Sequence, residues 1–336
     1  MKNGFDIGGV RIAGRVLTAP MTGVSDLPFR RAASRLGAPY VATEMVACDM
    51  FARGRPDVVR RAAVGEGLPL TVIQLVGRDA QWLAMGAAMA DAAGADIIDI
   101  NMGCPAKEVI GALSGSALMR DLDEAERLIA AAVGATKRPV TLKMRLGWDD
   151  ASKNAPELAM RAERSGVQAI TVHGRTRNQF YSGKADWRAV AGVKAATKLP
   201  LIVNGDIVDH ASAREALALS GADAIMIGRG ACGRPWIAAA IDRALANNLA
   251  LLEPDLAARL VIVLEHFRDS LRFHGDIHGV KIFRKHLGWY VERAPFPQCA
   301  TERREAKACL CRLTSPREIE SALIALWSGA QQALAA

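Results

Sequence analysis

The fold is decided by nine consecutive residues, Ile97-Ile98-Asp99-Ile100-Asn101-Met102-Gly103-Cys104-Pro105. The apolar start of this stretch predicts a buried strand, and its glycine and proline predict a tight turn directly after the strand. Together with seven similar β-rich runs it gives eight predicted strands, at residues 16–19, 40–43, 70–75, 97–100, 140–144, 169–173, 201–204 and 224–227. Strands that alternate with helices in this way pair in parallel.

The segments between these strands carry helix signals. Gly166 and Gly221 directly follow two of them, and glycine just past a helix is a common C-terminal stop. Helices are predicted at residues 26–36, 78–93, 121–136, 157–165 and 210–220. Eight strand–helix units close into a (β/α)8 TIM barrel, which is an α/β fold. An open, doubly wound sheet is the alternative, but such sheets usually have fewer strands.

The pattern changes after residue 247, because no further strand is predicted there. Helices are expected at residues 256–273, 279–291, 301–313 and 316–334, and Glu253-Pro254 marks a linker before them. We therefore predict a TIM-barrel domain over residues 1–247 and a small all-helical C-terminal domain over residues 248–336.

The composition limits the class of protein. Hydrophobic residues make up 51% of the 336 positions, so a large core is available, yet the apolar runs are too short and too interrupted to span a membrane. The first residues lack the apolar core of a signal peptide, and we expect a soluble cytoplasmic protein. None of the six cysteines forms a C-x-x-C pair, so neither a disulfide framework nor a metal site is predicted.

Positive charge is concentrated near the end of the chain. The net charge is +8, and residues 277–317 hold nine Lys or Arg against three acids, which is +6 of that total. Such a segment, which includes Lys281, Arg284 and Lys285, suggests a surface that binds a polyanion. A solvated helical face with surplus basic residues is the alternative.

Polar side chains interrupt or follow most of the predicted strands, at the end where a parallel barrel carries its chemistry. Lys143 lies between Leu142 and Met144, and a lysine inside an apolar strand is costly unless it meets a partner. That partner is either a bound anionic group or a buried acid. Cys104 is either a reactive thiol or a buried side chain that only fills space.

Glycines mark the ends of the last two barrel strands. Asn204-Gly205 and Gly228-Arg229-Gly230 would let backbone N–H groups approach a phosphate, and Arg229 adds a fork of donors. Plain tight turns are the alternative interpretation. The run from Gly228 to Gly233 also fits G-x-G-x-x-G, but this motif is weak alone and lies here in the eighth unit of a barrel.

These groups together fit flavin mononucleotide (FMN). The two glycine-rich strand ends offer a phosphate cradle, and Gln74 offers an amide for the edge of the flavin ring. Lys143 suits the N1–C2=O end of the ring, where negative charge gathers on reduction. His173 ends the sixth predicted strand and is well placed for the same cofactor.

Seven motifs follow one another along the barrel. They are APMTGVSDLPFR (19–30), NMGCP (101–105), GSALM (115–119), TLKMRLGW (141–148), TVHGRTR (171–177), NGDI (204–207) and IGRG (227–230). This ordered set resembles the tRNA-dihydrouridine synthases, and most closely their bacterial B-type subgroup. HGVKIFRKHLGWY (278–290) is similar to the helical tRNA-binding domain of those enzymes.

The resemblance implies an FMN-dependent reduction of specific D-loop uridines in tRNA to 5,6-dihydrouridine, with NADPH or NADH as reductant. It makes the barrel the catalytic domain and Cys104 the proton donor, and it places Asn101 and Arg145 where the flavin or the target base is met. The basic residues expected to bind tRNA are Lys281, Arg284 and Lys285. The residues expected to hold FMN are Pro20, Met21, Thr22, Gln74, Lys143, His173, Asn204, Gly205, Asp206, Gly228 and Arg229. Nothing implies an obligate protein partner.

One loop departs from the subgroup. Glu108 follows Lys107 where a second basic residue is expected, and residues 110–113 are less polar than expected. This loop carries Cys104, so its contacts with RNA are left open.

Two other functions fit part of the sequence. An FMN barrel of the dihydroorotate-dehydrogenase type shares the barrel and the phosphate groups, but it does not explain the basic helical segment. An RNA-binding or regulatory protein built on an inactive barrel would have no need of Lys143 and Cys104.

The chemistry of uracil assigns the expected roles. C5=C6 is conjugated to the C4 carbonyl, so hydride from the flavin N5 must arrive at C6 and a proton must be added at C5. A cysteine with an ordinary pKa of about 8.5 is mostly protonated at neutral pH, which suits a proton donor. The base must leave the tRNA stack to be reached, and the basic helical domain would bind the phosphates.

Overall fold

The computed structural model describes residues 4–328, and its strands form two sheets. β1 (Phe5–Ile7) and β2 (Val10–Ile12) form an antiparallel hairpin that the sequence did not predict. The second sheet has eight strands: β3 (Val16–Thr18), β4 (Ala42–Ala47), β5 (Val72–Val76), β6 (Ile97–Met102), β7 (Val140–Arg145), β8 (Ala169–His173), β9 (Leu201–Asn204) and β10 (Ala224–Ile227).

This second sheet closes into a barrel. Its strands lie in the order β3-β10-β9-β8-β7-β6-β5-β4, and every neighbouring pair is parallel. The two ends of the order meet where Thr18 bridges Val41 in parallel, and the Thr18 N–H donates to the Tyr40 carbonyl at 2.9 Å. The predicted TIM barrel is confirmed, and the open-sheet alternative is wrong.

Helices connect the strands on the outside of the barrel. They are α1 (Leu27–Arg35), α2 (Cys48–Ala52), α3 (Pro56–Arg61), α4 (Ala80–Ala92), α5 (Lys107–Gly111), α6 (Leu122–Gly134), α7 (Ala155–Arg164), α8 (Trp187–Ala196), α9 (His210–Ser220) and α10 (Ile237–Asn247). The α9 helix agrees with its prediction to the residue, because Asp209 and Ser212 form a capping box at its start and Gly221 ends it with φ +64°. The prediction missed α8 and α10, as well as the short α2, α3 and α5.

The barrel buries two apolar layers. The larger lies between strands and surrounding helices and includes Ile73, Ile98 and Leu142, all with no exposed surface. The smaller fills the barrel interior and includes Ile7 and Ile12 from the hairpin. A Cβ on Gly8 would meet Pro139, the residue before β7, so the hairpin covers the N-terminal ends of the strands. The hairpin does not cover the opposite end of the barrel, where the C-terminal ends of the strands lie.

Four helices follow the barrel: α11 (Leu256–His274), α12 (Asp276–Arg293), α13 (Ala300–Leu310) and α14 (Pro316–Ser328). They surround an apolar cluster of their own, which includes Phe267, Phe283 and Leu323. The predicted helical C-terminal region is thus confirmed, while the end of the helix predicted at 316–334 lies outside the described residues. The division at residue 247 stays a prediction. No helix of residues 4–328 is both long and apolar enough to cross a membrane.

Candidate active site

The predicted barrel residues gather at the C-terminal ends of the strands. Gln74, Asn101, Lys143 and Arg145 lie within β5, β6 and β7, and His173 and Asn204 are the last residues of β8 and β9. The others follow β3, β6, β9 and β10 within four residues of the strand end: Pro20, Met21, Thr22, Cys104, Gly205, Asp206, Gly228 and Arg229. Because all eight strands run the same way, these side chains share one rim of the barrel.

Strand register makes several of these residues direct neighbours. Asn101 pairs with Lys143 between β6 and β7. Arg145 pairs with His173, and His173 in turn pairs with Asn204. The Lys143 ammonium on β7 donates to the Asn204 Oδ1 on β9 at 3.3 Å, past the intervening strand β8. The strand ends therefore form one contiguous polar centre.

A chain of hydrogen bonds fixes the loop that carries Cys104. Gln74 Nε2 donates to Asp99 Oδ2 at 2.6 Å, and Asn101 Nδ2 donates to Gln74 Oε1 at 2.8 Å. Asn101 Oδ1 then accepts the backbone N–H groups of Gly103 and Cys104, at 3.1 and 2.9 Å. The Asp99 carboxylate can only accept a hydrogen bond, and the Gly103 and Cys104 N–H groups can only donate one. These two ends determine which atom of the Gln74 and Asn101 side-chain amides is oxygen and which is nitrogen. Asn101 thereby holds the Cys104 turn.

Asp99 and Lys143 carry opposite charges inside this centre. Burial raises the pKa of Asp99 to about 6, although hydrogen bonds from Thr141 and Gln74 and the charge of Lys143 lower it. Burial lowers the pKa of Lys143 to about 8, and the carboxylate of Asp99 opposes that decrease. At neutral pH Lys143 is therefore a cation whose charge depends on Asp99.

Cys104 is partly exposed, and both its backbone N–H and its carbonyl make hydrogen bonds. Its carbonyl accepts from Ser116 N–H at 3.1 Å and from Ser116 Oγ at 2.8 Å. Burial raises the pKa of the thiol, and Glu108 adds to this, while the Ala106 N–H, Arg145 and Lys143 lower it. The net shift is upward, so Cys104 keeps its proton at neutral pH, unlike a nucleophilic thiolate.

A network of arginines lies beside His173. Arg175 is buried and donates to Asp206 Oδ2 at 2.6 Å, and its Nη1 lies 3.3 Å from His173 Nε2. An arginine only donates, so His173 Nε2 accepts there and the ring is neutral. Burial, followed by Arg145, Lys143, Arg175 and Arg229, lowers the pKa of His173 well below its ordinary value.

Positive charge exceeds negative charge around this histidine. The four cations that act on it are Lys143, Arg145, Arg175 and Arg229. The neighbouring acids are Asp99, which acts on Lys143, and Asp206, which binds Arg175 and Arg229. An excess of about two positive charges suits an anionic ligand such as a phosphate group.

Gly205 and Asp206 form the turn after β9. Gly205 has φ +115°, and a Cβ there would lie 2.8 Å from Ala185 Cβ and 2.9 Å from the His173 ring. Asp206 also has positive φ, at +55°. Burial alone would raise the pKa of Asp206, but hydrogen bonds from Arg175 and the Ala185 N–H lower it overall. This turn brings backbone and carboxylate close to His173.

Arg145, which is expected to meet the flavin or the target base, is almost completely buried. It is 1% exposed, its Nε donates to the Gly103 carbonyl at 2.8 Å, and its Nη1 donates to the Thr176 and Phe180 carbonyls at 2.9 Å. The guanidinium also lies 5.6 Å from the centre of the Tyr181 ring. Arg145 thus ties the Cys104 loop to the loop after β8.

The predicted tRNA-binding residues occupy three positions on α12. Lys285 is exposed, and its ammonium lies next to Gly23, where an added Cβ would come within 2.4 Å. Arg284 is partly buried, and its carbonyl accepts from the Cys311 thiol at 3.8 Å, near α13. Lys281 is exposed one turn earlier. Of these three, the structure brings Lys285 to the active-site rim.

A cavity of about 1330 Å³ adjoins the Cys104 loop. Glu108 and Leu113 line it, together with five arginines that are matched by nearby acids: Arg53, Arg55, Arg61, Arg78 and Arg120. None of the residues predicted to hold FMN lines this cavity. Because its acids offset its arginines, the cavity is not a basic groove.

Sequence reasoning missed three residues of the centre. Asp99 interrupts an apolar run in the same way as Lys143, so the same criterion could have found it. Arg175 was quoted only within a motif, and nothing in the sequence showed that it is buried against Asp206. Tyr181, whose ring lies 4.8 Å from the Arg229 guanidinium, is in a loop without a sequence signal.

A closed barrel with a thiol, a lysine and a histidine at the strand ends places the chain among the (β/α)8-barrel proteins. Two solved structures share this fold. A morphinone reductase N189A mutant in complex with tetrahydroNAD has a TM-score of 0.52 at 14% identity, and the match covers 76% of this chain and 93% of that one. A variant of NCR from Zymomonas mobilis has a TM-score of 0.52 at 16% identity, covering 76% and 94%.

Comparison of sequences gives the family. The model of the dihydrouridine synthase (Dus) family matches residues 17–323. A probable tRNA-dihydrouridine synthase of Rhodobacter capsulatus is 52% identical over 290 residues, which is 86% of this chain and 89% of that protein. The tRNA-dihydrouridine synthase B of Pseudomonas putida is 44% identical over 290 residues, covering 86% of each. The chain belongs to the dihydrouridine synthase family, and the resemblance to its B-type members is confirmed.

Proposed function

We propose that this chain reduces the C5=C6 bond of specific D-loop uridines in tRNA, in the cytoplasm, with FMN as cofactor and NADPH or NADH as reductant. The observation that carries the proposal is the position of the Cys104 thiol, whose pKa is raised by burial, on the same rim as Lys143 and His173. Family membership supports the reaction class. The cofactor, the reductant, the residue roles and the D-loop target are our proposals.

The rim residues fit FMN. The excess positive charge around His173 suits a phosphate, and Gly228 leaves room for one, since an added Cβ would meet nothing closer than Ala19 Cβ at 3.9 Å. Gln74 and Lys143 would face the flavin ring, and Pro20, Met21 and Thr22 would lie at its edge. When bound, FMN would supply the hydride for C6 of uracil.

The chain's own residues would supply the proton and position it. Cys104 holds a proton at neutral pH because its pKa is raised, and it can release that proton to C5. Asn101 and Ser116 fix the backbone from which the thiol projects. Glu108, the residue that departs from the subgroup, adds to the upward shift of the thiol pKa and so favours the protonated form.

The experiment that tests this function compares tRNA from cells with and without the protein. We expect dihydrouridine to be lost at one or a few D-loop positions and to return when the parent chain is re-expressed. The purified protein should be yellow and should bleach when NADPH is added. Dihydrouridine that is unchanged at every position would contradict the proposal, and a yellow protein that turns over a free pyrimidine instead would favour a small-molecule dehydrogenase.

Lys285→Glu should weaken tRNA binding without changing flavin content. Lys285 is exposed beside the Gly23 turn, so its charge can reach a phosphate near the active site. Replacing one phosphate contact should lower affinity by about 10-fold and reduce the slope of log K against log salt by roughly one. Filter binding between 50 and 200 mM salt measures both.

Lys198→Glu is the matched control for this experiment. Lys198 is exposed before β9, at the opposite end of the barrel, and its substitution makes the same change in net charge. It should leave tRNA affinity nearly unchanged. Equal losses in the two variants would show that total charge, and not the position of Lys285, governs binding.

A further inference from the structure

A second cluster of titratable side chains lies away from the barrel rim. Asp26 caps the start of α1, while His266 lies on α11 and His286 on α12. All three are buried, and one possible ligand atom from each lies within 4.8 Å of the others. The cluster therefore joins one barrel helix to the first two helices of the C-terminal region.

Several nitrogens in this cluster lack hydrogen-bond partners among residues 4–328. They are the Nε2 of His266 and both ring nitrogens of His286. The Val24 carbonyl lies close enough to raise the pKa of His286, but it does not reach hydrogen-bond geometry. Buried polar groups are nearly always satisfied in folded proteins, so another species is needed here.

The chemistry of the three donors matches that of a zinc site. Two imidazoles and one carboxylate are ordinary zinc ligands, and water supplies the fourth position in many such sites. A metal bound by histidine requires the neutral imidazole, and burial away from water favours that form over the charged one.

Hydrogen bonds to neighbouring residues already orient two of the possible ligands, His266 and Asp26. His266 Nδ1 lies 2.9 Å from the Tyr290 hydroxyl, which leaves Nε2 as the atom free to bind. Asp26 Oδ1 accepts the Phe29 N–H at 3.1 Å, and its Oδ2 lies 2.9 Å from His274 Nε2. Metal-binding histidines are commonly held through their second nitrogen in this way.

The three possible ligand atoms of Asp26, His266 and His286 would need to move only a short distance to bind a zinc ion. Zinc bonds of about 2.1 Å place tetrahedral ligand atoms roughly 3.4 Å apart, compared with separations of up to 4.8 Å here. Rotation of the side chains can supply the difference. The buried Arg30 adds a positive charge beside Asp26, and Glu44 offsets it.

We propose that Asp26, His266 and His286 bind a divalent cation of the Zn²⁺ class, with water as the fourth ligand. The site would be structural, because its ligands lie at the start of α1 and on α11 and α12 and include none of the residues expected to hold FMN. If the proposed function holds, the cation also fixes the helix that carries Lys285. Metal binding itself can be measured without tRNA or flavin turnover.

The test uses the full-length protein, stripped with a chelator and then titrated with Zn²⁺ and with Co²⁺. We expect one Zn²⁺ per chain by elemental analysis, a rise of several degrees in Tm, and the visible absorption of four-coordinate Co²⁺. His286→Phe should lose all three signals. His278→Phe, which changes an exposed histidine on the same helix, should keep them.

Asp26→Asn provides a second variant in case His286→Phe does not fold. Asparagine caps a helix about as well as aspartate, so α1 should persist while the charged ligand is lost. We expect Zn²⁺ affinity to fall at least 10-fold in this variant. Absence of metal uptake by the parent chain at micromolar Zn²⁺, or uptake by both cluster variants as tight as that of the parent, would show that these side chains do not bind the cation and would overturn the proposal.

Discussion

Cys104→Ala should lower the rate of dihydrouridine formation by about 10²–10⁴-fold while leaving the flavin bound and reducible. The thiol keeps its proton because burial raises its pKa, and Asn101 and Ser116 hold its backbone on either side. Alanine keeps those backbone contacts but has no proton to release. The flavin site, which we place around Lys143 and His173, is untouched.

Two half-reactions measured separately test this expectation. Reduction of the flavin by NADPH should proceed at the parent rate, and its reoxidation by unmodified tRNA should be slow. Cys309→Ala, which removes an exposed thiol from α13, is the control and should behave like the parent in both. Full turnover of tRNA by Cys104→Ala would rule out the thiol as proton donor.

The same thiol predicts a pH profile for tRNA-dependent reoxidation. A proton donor is active while protonated, and the pKa of Cys104 is raised above its ordinary value. With FMN kept saturating at every pH, the rate should therefore remain flat through neutral pH and fall only when the pH passes above the ordinary thiol range. A rate that increases with pH through that range would indicate a thiolate and contradict the assignment.

The sequence predicted the barrel because each strand is a short apolar run that ends in polar or glycine residues. That pattern depends on local spacing, which a single sequence shows directly. It located β8, β9 and β10 to the residue. It also found Lys143, since an ion in an apolar strand is conspicuous. Because all strands of a parallel barrel end on the same rim, the sequence alone was enough to group the rim residues.

Other features depend on contacts between distant parts of the chain. The β1–β2 hairpin is short and gains its stability by covering the barrel base, so its sequence alone does not identify it. Asp26 and His286 are 260 positions apart in the sequence, and the packing of α11 on α1 and of α12 on α11 brings them together. The burial of Arg145 likewise depends on the loop after β8, whose Thr176 and Phe180 carbonyls accept hydrogen bonds from it. Arg175 lies within that loop and donates to Asp206, which follows β9.

Asp99→Leu should have the second-largest effect, because Asp99 supports the centre in two ways. Its carboxylate accepts from Gln74 and so orients the chain of amides that ends at the Cys104 backbone. Its charge also keeps the pKa of Lys143 from falling further. Leucine removes both, leaving buried polar groups unpaired, and should lower the free energy of unfolding by about 3 kcal/mol and activity by at least about 100-fold.

Asp99→Asn separates the two contributions. The asparagine Oδ1 can still accept from Gln74 while its Nδ2 donates to Thr141, whose hydroxyl can also accept. The loop should therefore persist, whereas the charge that favours the Lys143 cation is lost. Because a lysine is charged only below its pKa, the parent should lose FMN affinity as the pH rises through about 8, and the variant should lose it at lower pH.

Measurements of FMN affinity across pH test the predicted role of the Asp99 charge, and urea unfolding tests the predicted loss of stability. Asp96→Asn is the matched control, since Asp96 lies just before β6, at the opposite end of the same strand, and accepts the Thr71 N–H at 2.8 Å. It should leave the pH dependence of FMN affinity unchanged. A pH profile of Asp99→Asn that coincides with the parent's would mean that Asp99 does not govern the Lys143 charge. Equal activity of Asp99→Leu and Asp99→Asn would mean that the amide chain does not position Cys104.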